Sequence, residues 1–151
     1  VQNVETYRAI SLWQPYASLV ALGYKPIETR LWPTPYRGDF LVCATKAPAP
    51  REDYDRVLGR LRTRCVPTYG QLEPESSPKG VALCLVTLLE CRPMTEADEE
   101  DAWVPYLNPK TGKPRWAWVL GNRRPVTWTP VSGKQGWFNV PKASITLEVK
   151  S

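Results

Sequence analysis

Sixteen prolines are spread through this chain of 151 residues and cut it into pieces too short for a helical bundle. Proline ends helices and is tolerated only at the starts, edges and bulges of strands, so this spacing predicts short strands joined by turns. The most apolar pieces agree. Gly38–Thr45 (GDFLVCAT) and Gly80–Cys91 (GVALCLVTLLEC) are nearly continuous in apolar residues, as strands buried on both faces are. The second, flanked by Gly and Pro, is expected at the centre of a sheet. Ile27–Leu31, Trp116–Leu120, Val126–Val131 and Ser144–Val149 supply further strands. Gly133-Lys-Gln-Gly136 forms a turn ahead of Trp137 and Phe138.

Three helices fit between these pieces. Ala17–Leu22 is almost without charge, follows Pro15 at the helix start, and stops at Gly23, where the chain can turn through positive φ. Arg51–Arg64 places Tyr54, Val57, Leu58 and Leu61 on one face, with Glu52 and Arg56 as an i,i+4 pair outside. Thr95–Trp103 opens with Thr95 as N-cap and Asp98 three residues on, close to a capping box. Val66–Lys79, polar and with three prolines, reads as a long surface loop. The sum is one domain over residues 1–151, α+β but β-rich: a small, partly closed β-barrel of about six strands with two or three short helices at its ends. Hydrophobic residues at 42% and seven Trp are incompatible with a disordered chain.

Several kinds of chemistry are excluded. There is no His, so Ser-His-Asp and Cys-His catalysis are closed, and a general base must be Lys, Asp, Glu or Tyr. The four cysteines form no CxxC pair, and no metal or other cofactor is expected. Cys43 and Cys84 lie inside apolar runs and read as small core residues. No apolar run approaches the roughly 18 residues of a membrane span, and nothing resembles a signal peptide. The expectation is an intracellular protein, cytoplasmic or nuclear, with no membrane partner.

Charge is uneven along the chain. Residues 1–72 carry ten Lys/Arg against six Asp/Glu, residues 73–103 two against eight, and residues 104–151 eight against one. A solvated mixed surface would account for any single cluster. In the last third, however, the cations alternate with Trp, Tyr and Pro. Lys110, Lys113, Arg115, Trp116, Arg123, Arg124, Trp128 and Lys134 form the mix that holds single-stranded nucleic acid, cations tracking phosphates while flat rings stack on bases.

The densest chemistry lies in Ser11–Arg30. The apolar helix delivers Lys25, Glu28 and Arg30 at a fixed place beside a Trp13-Gln14-Pro15-Tyr16 turn, which suits a site built on scaffold. In an extended chain Glu28 and Arg30 share one face, where they can equally form a structural ion pair. Glu28 can accept from an exocyclic amine, and Lys25 can meet a phosphate or polarise a base carbonyl. Gln14 needs partners if buried. Thr45 and Lys46 emerge at the end of a buried strand. Trp13, Tyr16 and Trp32 suit a core better than a ligand platform.

These residues carry a resemblance. WQPYASLVALGYKPIETRLWPTPYRGDFLVCAT resembles the start of ASCH (activating signal cointegrator homology) domains. The shared places are held by Gln14-Pro15-Tyr16-Ala17, Gly23, Lys25, Glu28, Arg30, Trp32, Arg37-Gly38 and Ala44-Thr45. Tyr16 stands where Trp is commoner. WAWVLGNRRPVTWTPVSGKQGWFNVP is similar to the family's closing strands and its Gly-x-x-Gly-aromatic turn. The resemblance covers about Ile10 to Pro141, with a variable middle. It implies a PUA-like β-barrel, a fold associated with RNA or modified-base recognition. Some members bind RNA or DNA, and others are nucleoside amidohydrolases or ribonucleases.

Two expectations for function follow. The first is a domain that binds single-stranded or modified-base RNA or DNA in a cleft at the Gly23–Arg30 turn. Gln14, Lys25, Glu28, Arg30, Arg37, Thr45 and Lys46 would line the pocket, and Arg115, Arg123, Arg124 and Lys134 would hold the backbone. The alternative is a hydrolase, an amidohydrolase on N4-acylated cytidine or a ribonuclease, with Lys25 as base and Glu28 as its acidic partner. The amidohydrolases place Thr at the Glu28 position, and a carboxylate there holds Lys25 protonated. A protein partner docked on residues 66–79 is a third possibility.

Overall fold

The computed structural model describes residues 4–66 and 69–148, without the side chain of Tyr69. The elements run β1 (Thr6–Leu12), α1 (Tyr16–Ala21), β2 (Ile27–Arg30), β3 (Gly38–Ala44), α2 (Arg51–Thr63), β4 (Val81–Pro93), α3 (Glu99–Ala102), β5 (Trp116–Pro130) and β6 (Phe138–Pro141). Short 3₁₀ turns lie at Tyr69–Leu72, Glu96–Asp98 and Lys142–Ser144. All six strands join one sheet in the order β2-β5-β4-β3-β1-β6, curled into a half-barrel of the PUA-like kind. Only β1 and β3 are parallel, with α1 and β2 in the crossover between them.

The concave face is filled by apolar residues of four strands and α1. Ile10 and Leu12, Phe40 and Val42, Val86 and Leu88, and Trp118 pack with Ala17 and Val20. Trp118 is fully buried, edge-on to Trp32 at 5.0 Å and stacked on Trp137 at 5.4 Å. Aromatic pairs in such geometry add to the burial of their area. A second cluster (Leu41, Cys43, Leu85, Val126, Phe138, Val140) backs the sheet where β6 pairs with β1. Cys43 and Cys84 are both buried, and burial pushes each thiol up to about 12, in keeping with core packing.

The strongest sequence signals match the structure. The run expected at the sheet's centre is β4, Arg51–Arg64 contains α2, and Thr95 and Asp98 form the capping box. Gly23 follows α1 at φ +89°. Other elements differ. β1 and β6 were not anticipated, and Trp116–Leu120 and Val126–Val131 fall in one long strand. That strand crosses Pro125 because its pairing with β4 shifts register three times. Ser144–Val149 is not a strand: the 3₁₀ turn ends at Ser144, Leu147 makes an isolated bridge to Val126, and Val149 lies outside the described residues. The Glu52–Arg56 pair is absent, because Arg56 turns to Asp53 at 3.1 Å. In the 66–79 segment Leu72 is fully buried against α1 and α2, and Ser77 is buried beside Tyr54, so its inner side belongs to the core.

Candidate functional site

A cleft of about 1010 Å³ opens where the half-barrel is unclosed, between the ends of β1 and β3, the start of α2 and the outer strand β2. Its walls come from five places in the sequence. They are Ser11–Trp13 with Tyr16, Glu28–Arg30 with Lys25, Ala44–Lys46, the first turns of α2, and the 131–136 loop facing them. Val104, Pro105, Pro109 and Arg115 complete the rim.

Lys25 forms the floor. It leaves α1 through the Gly23 turn, where the Tyr24 and Lys25 amides both bond Leu19 O, so the chain is fixed before β2 begins. The ammonium is buried, with 1% of the side chain exposed, and lies 3.6 Å from Glu28 Oε1. It donates to Ile27 O at 2.7 Å and to Ala102 O, which ties β2 to α3. The Tyr16 ring lies 5.7 Å below it. Of the three ammonium protons, two are held by these carbonyls, and the Glu28 carboxylate stands as the ion-pair partner. Burial lowers the Lys25 pKa from 10.5 to about 8, against the opposing pull of Glu28; Arg30 and Arg115 add to the lowering. Glu28 acts in the direction the sequence suggests, but desolvation outweighs it. Lys25 is still mostly charged at neutral pH.

Glu28 and Arg30 share a sheet face, as expected, yet they are not the ion pair: Glu28 pairs with Lys25. Glu28 Oε1 also accepts the Thr29 N–H at 2.7 Å. Arg30 Nη2 donates to Ser11 O at 3.0 Å, bridging to β1 across the cleft, while its buried Nε has no partner. Trp118, opposite Glu28 in the β2–β5 register, likewise keeps a buried, unpartnered Nε1. Both donors stand on the same sheet face as the Glu28 carboxylate, but only Arg30 lines the cleft, Trp118 being packed in the core. A buried donor without a partner costs free energy, so this face suits a ligand that brings acceptors.

The remaining candidates divide. Thr45, Lys46, Arg115 and Lys134 line the cleft. Gln14 does not; it is fully buried, with Nε2 donating to Ser18 Oγ and Pro78 O and Oε1 accepting the Ser18 N–H. Its amide holds α1 against the 66–79 segment. Arg37 donates to Thr34 O and Tyr36 O outside the cleft. Arg123 caps α1, donating to Ala21 O at 2.7 Å. Arg124 makes a two-pronged pair with Asp39 and a bond to Thr87 across three strands. Arg124 holds the Asp39 carboxyl below its ordinary value. Lys110, Lys113, Trp116 and Trp128 are also absent from the cleft lining.

The structure adds residues the sequence pointed away from. Trp13, expected to suit a core, is 48% exposed and lines the cleft; Tyr16, which is buried, and Trp32, which packs on Trp118, border it as well. α2 contributes Glu52, Asp53 and Arg56, and Tyr16 donates to Asp53 Oδ1 at 2.5 Å while accepting from Arg56. Burial and then the Asp53 bond raise the Tyr16 pKa, so its phenol stays neutral. No group of three or more potential metal ligands occurs among the described residues, and none of their helices is long and apolar enough to cross a membrane.

A family model for the ASCH domain matches residues 10–130. Activating signal cointegrator 1 of Mus musculus and of Homo sapiens are each 34% identical over 94 residues, 60% of this chain. The matched stretch is 15% of the length of those relatives.

Proposed function

This chain belongs to the ASCH domain family, and from that premise and the form of the cleft we propose that it is a nucleic-acid-binding domain. Its ligand is single-stranded or modified-base RNA or DNA, with a base lowered toward Glu28. One observation carries the reading. The cleft combines a buried carboxylate, the idle buried Nε of Arg30 on the same face, and an exposed Trp13 at its mouth. A nucleobase edge presents donors and acceptors side by side, and its faces stack on indole.

The lining also carries six cations against three carboxylates, which favours a polyanion. Lys25 holds Glu28 in place from the floor of the cleft, with two of its protons committed to backbone carbonyls. Double-stranded nucleic acid keeps its base edges stacked and paired, so a cleft that receives one base favours single strands. An intracellular setting belongs to the same reading and fits the four free cysteines.

The test is a titration of labelled single-stranded RNA and DNA, with duplexes as comparison, at low and moderate salt. Binding of single strands that weakens with salt and is lost in Glu28→Ala supports the reading. Binding that is absent or indifferent to salt overturns it.

One observation favours a hydrolase instead: burial brings Lys25 down to about 8, closer to the range of a general base. Turnover of N4-acetylcytidine that stops in a folded Lys25→Met protein would support that reading. Absence of turnover, or turnover that survives the substitution, would remove it.

A further inference from the structure

We propose that one corner of the cleft, formed by Ser11, Arg30, Lys46 and the Gly133-Lys134 loop, is a phosphoryl subsite. The domain then grips a nucleotide through its phosphate and not only through its base. This rests on the nucleic-acid reading above and assigns a place within the same cleft.

The corner is built by contacts between distant parts of the chain. Gly80 donates to Ala44 O and accepts from the Val131 N–H, joining the ends of β3 and β5. The Lys46 side chain lies over Gly80, whose Cβ would sit 3.1 Å from Lys46 Cγ. Gly133 lies against Ser11, and a Cβ there would come within 2.4 Å of Ser11 Oγ. Ser11 O accepts from Arg30. Lys46, Lys134 and Arg30 are therefore brought to one side of the cleft by residues in contact with one another.

Three independent facts make this corner electropositive and unspent. Among the described residues, neither Lys46 nor Lys134 has a carboxylate or hydrogen-bond partner, in contrast to Lys25 and Arg56. Among the described residues, the backbone amides of residues 132–136 find no hydrogen-bond partner. The buried Nε of Arg30 is unpartnered beside Ser11. The acidic lining residues belong elsewhere, Glu28 to the floor and Glu52 and Asp53 to α2. A phosphoryl group offers oxygens to a guanidinium, two ammonium groups and loop amides together, the combination that anion-binding loops use.

The phosphate could be a strand's terminal group or an internal diester, and the experiment separates them. The four nucleosides, their 5′- and 3′-monophosphates and inorganic phosphate are titrated into the wild type, a Lys46→Ala/Lys134→Ala protein and a charge-matched Arg62→Ala/Lys142→Ala control. Single strands with and without a 5′-phosphate are compared in parallel. Charge-assisted hydrogen bonds of this kind imply that a monophosphate binds about tenfold or more tighter than its nucleoside. That advantage should vanish in Lys46→Ala/Lys134→Ala, persist in the control, and leave nucleoside binding unchanged. A strand that gains from its 5′-phosphate marks the terminal group as the occupant, and one that does not marks the diester. Phosphorus NMR of the monophosphate provides a second readout, with line broadening by the wild type and none by the double variant. Equal affinity for nucleoside and monophosphate, while single strands still bind, overturns the subsite and leaves the nucleic-acid reading standing. If no strand, nucleotide or phosphate binds, both fall.

Discussion

Lys25 Nζ lies 3.6 Å from Glu28 Oε1, and both side chains are buried. Two opposite charges held this way are costly to separate, because removing one leaves the other uncompensated in a low-dielectric site. The same ammonium also bonds carbonyls of β2 and α3, so it fastens the cleft's floor to its rim.

Lys25→Ala should therefore destabilise the fold by about 3–5 kcal/mol, the cost of breaking one side of a buried pair. Lys25→Met combined with Glu28→Gln, which removes both charges, should cost less than Lys25→Met alone. Urea unfolding of the three variants checks this. Equal losses in single and double variants would show that the pair is not coupled.

The lowered pKa of Lys25 sets a pH window. The unfolded chain holds this proton up to about pH 10.5, whereas the folded chain releases it near 8. Between those values the unfolded state binds more protons, so the Lys25 contribution raises stability as pH increases from about 8 to 10.5. Below about 8 the burial cost is constant. Comparing the pH dependence of unfolding in wild type and Lys25→Met should expose this rise as a difference confined to that window. Glu28→Gln, by removing the group that favours the ammonium, should move its lower edge further down.

Asp98 gives the same sign in pH, with its window at the acid end. The Arg92 guanidinium, at 2.7 and 2.9 Å, and the Thr95 N–H hold its pKa down from 3.8 to about 2. Its stabilisation is complete above about pH 4 and is lost as pH falls through 2. Asp98→Ala should cost about 1–3 kcal/mol at neutral pH, through the cap and the charge-assisted bonds together. It should leave oligonucleotide affinity unchanged, since Asp98 lies outside the cleft. Thermal unfolding and a binding titration on one preparation measure both.

Trp13→Ala should weaken binding by about 1–3 kcal/mol, the worth of one base stacked on an aromatic ring, with little change in stability. Quenching of Trp fluorescence by a single strand should shrink in the same variant. An unchanged affinity would remove stacking from the account.

Salt separates the arginines. Arg115→Ala, on the cleft rim, should reduce the slope of log affinity against log salt by about one phosphate contact. Arg124→Ala should leave the slope intact and lower stability instead, because its guanidinium is committed to Asp39 and Thr87.

Much of this architecture was legible in the chain because it is local. The apolar run of β4, the one-sided face of α2 and the Thr95–Asp98 cap each follow from residues a few positions apart. β1 and β6 were not legible for the opposite reason. Thr6–Leu12 has Arg8 in its midst, and Phe138–Pro141 is four residues ending in Pro. The two pair with each other across about 130 residues, and β1 also pairs with β3 beyond α1 and β2. The site divides likewise. Lys25, Glu28 and Arg30 fall in one short motif and meet at one floor. The engagement of Arg123 with α1 and of Arg124 with Asp39 depends on partners 102 and 85 residues distant, as does the wall that α2 supplies. Trp13 could not be told from a core residue until α1 and the 131–136 loop took their places around it.

The most direct test of the cleft as the binding site is an amide and indole NMR map of the protein titrated with a short single-stranded oligonucleotide. The account predicts shifts at the Trp13 indole, at Glu28–Arg30 and along residues 132–136. Shifts centred on Arg123, Arg124 and Trp128 with those positions silent would contradict it.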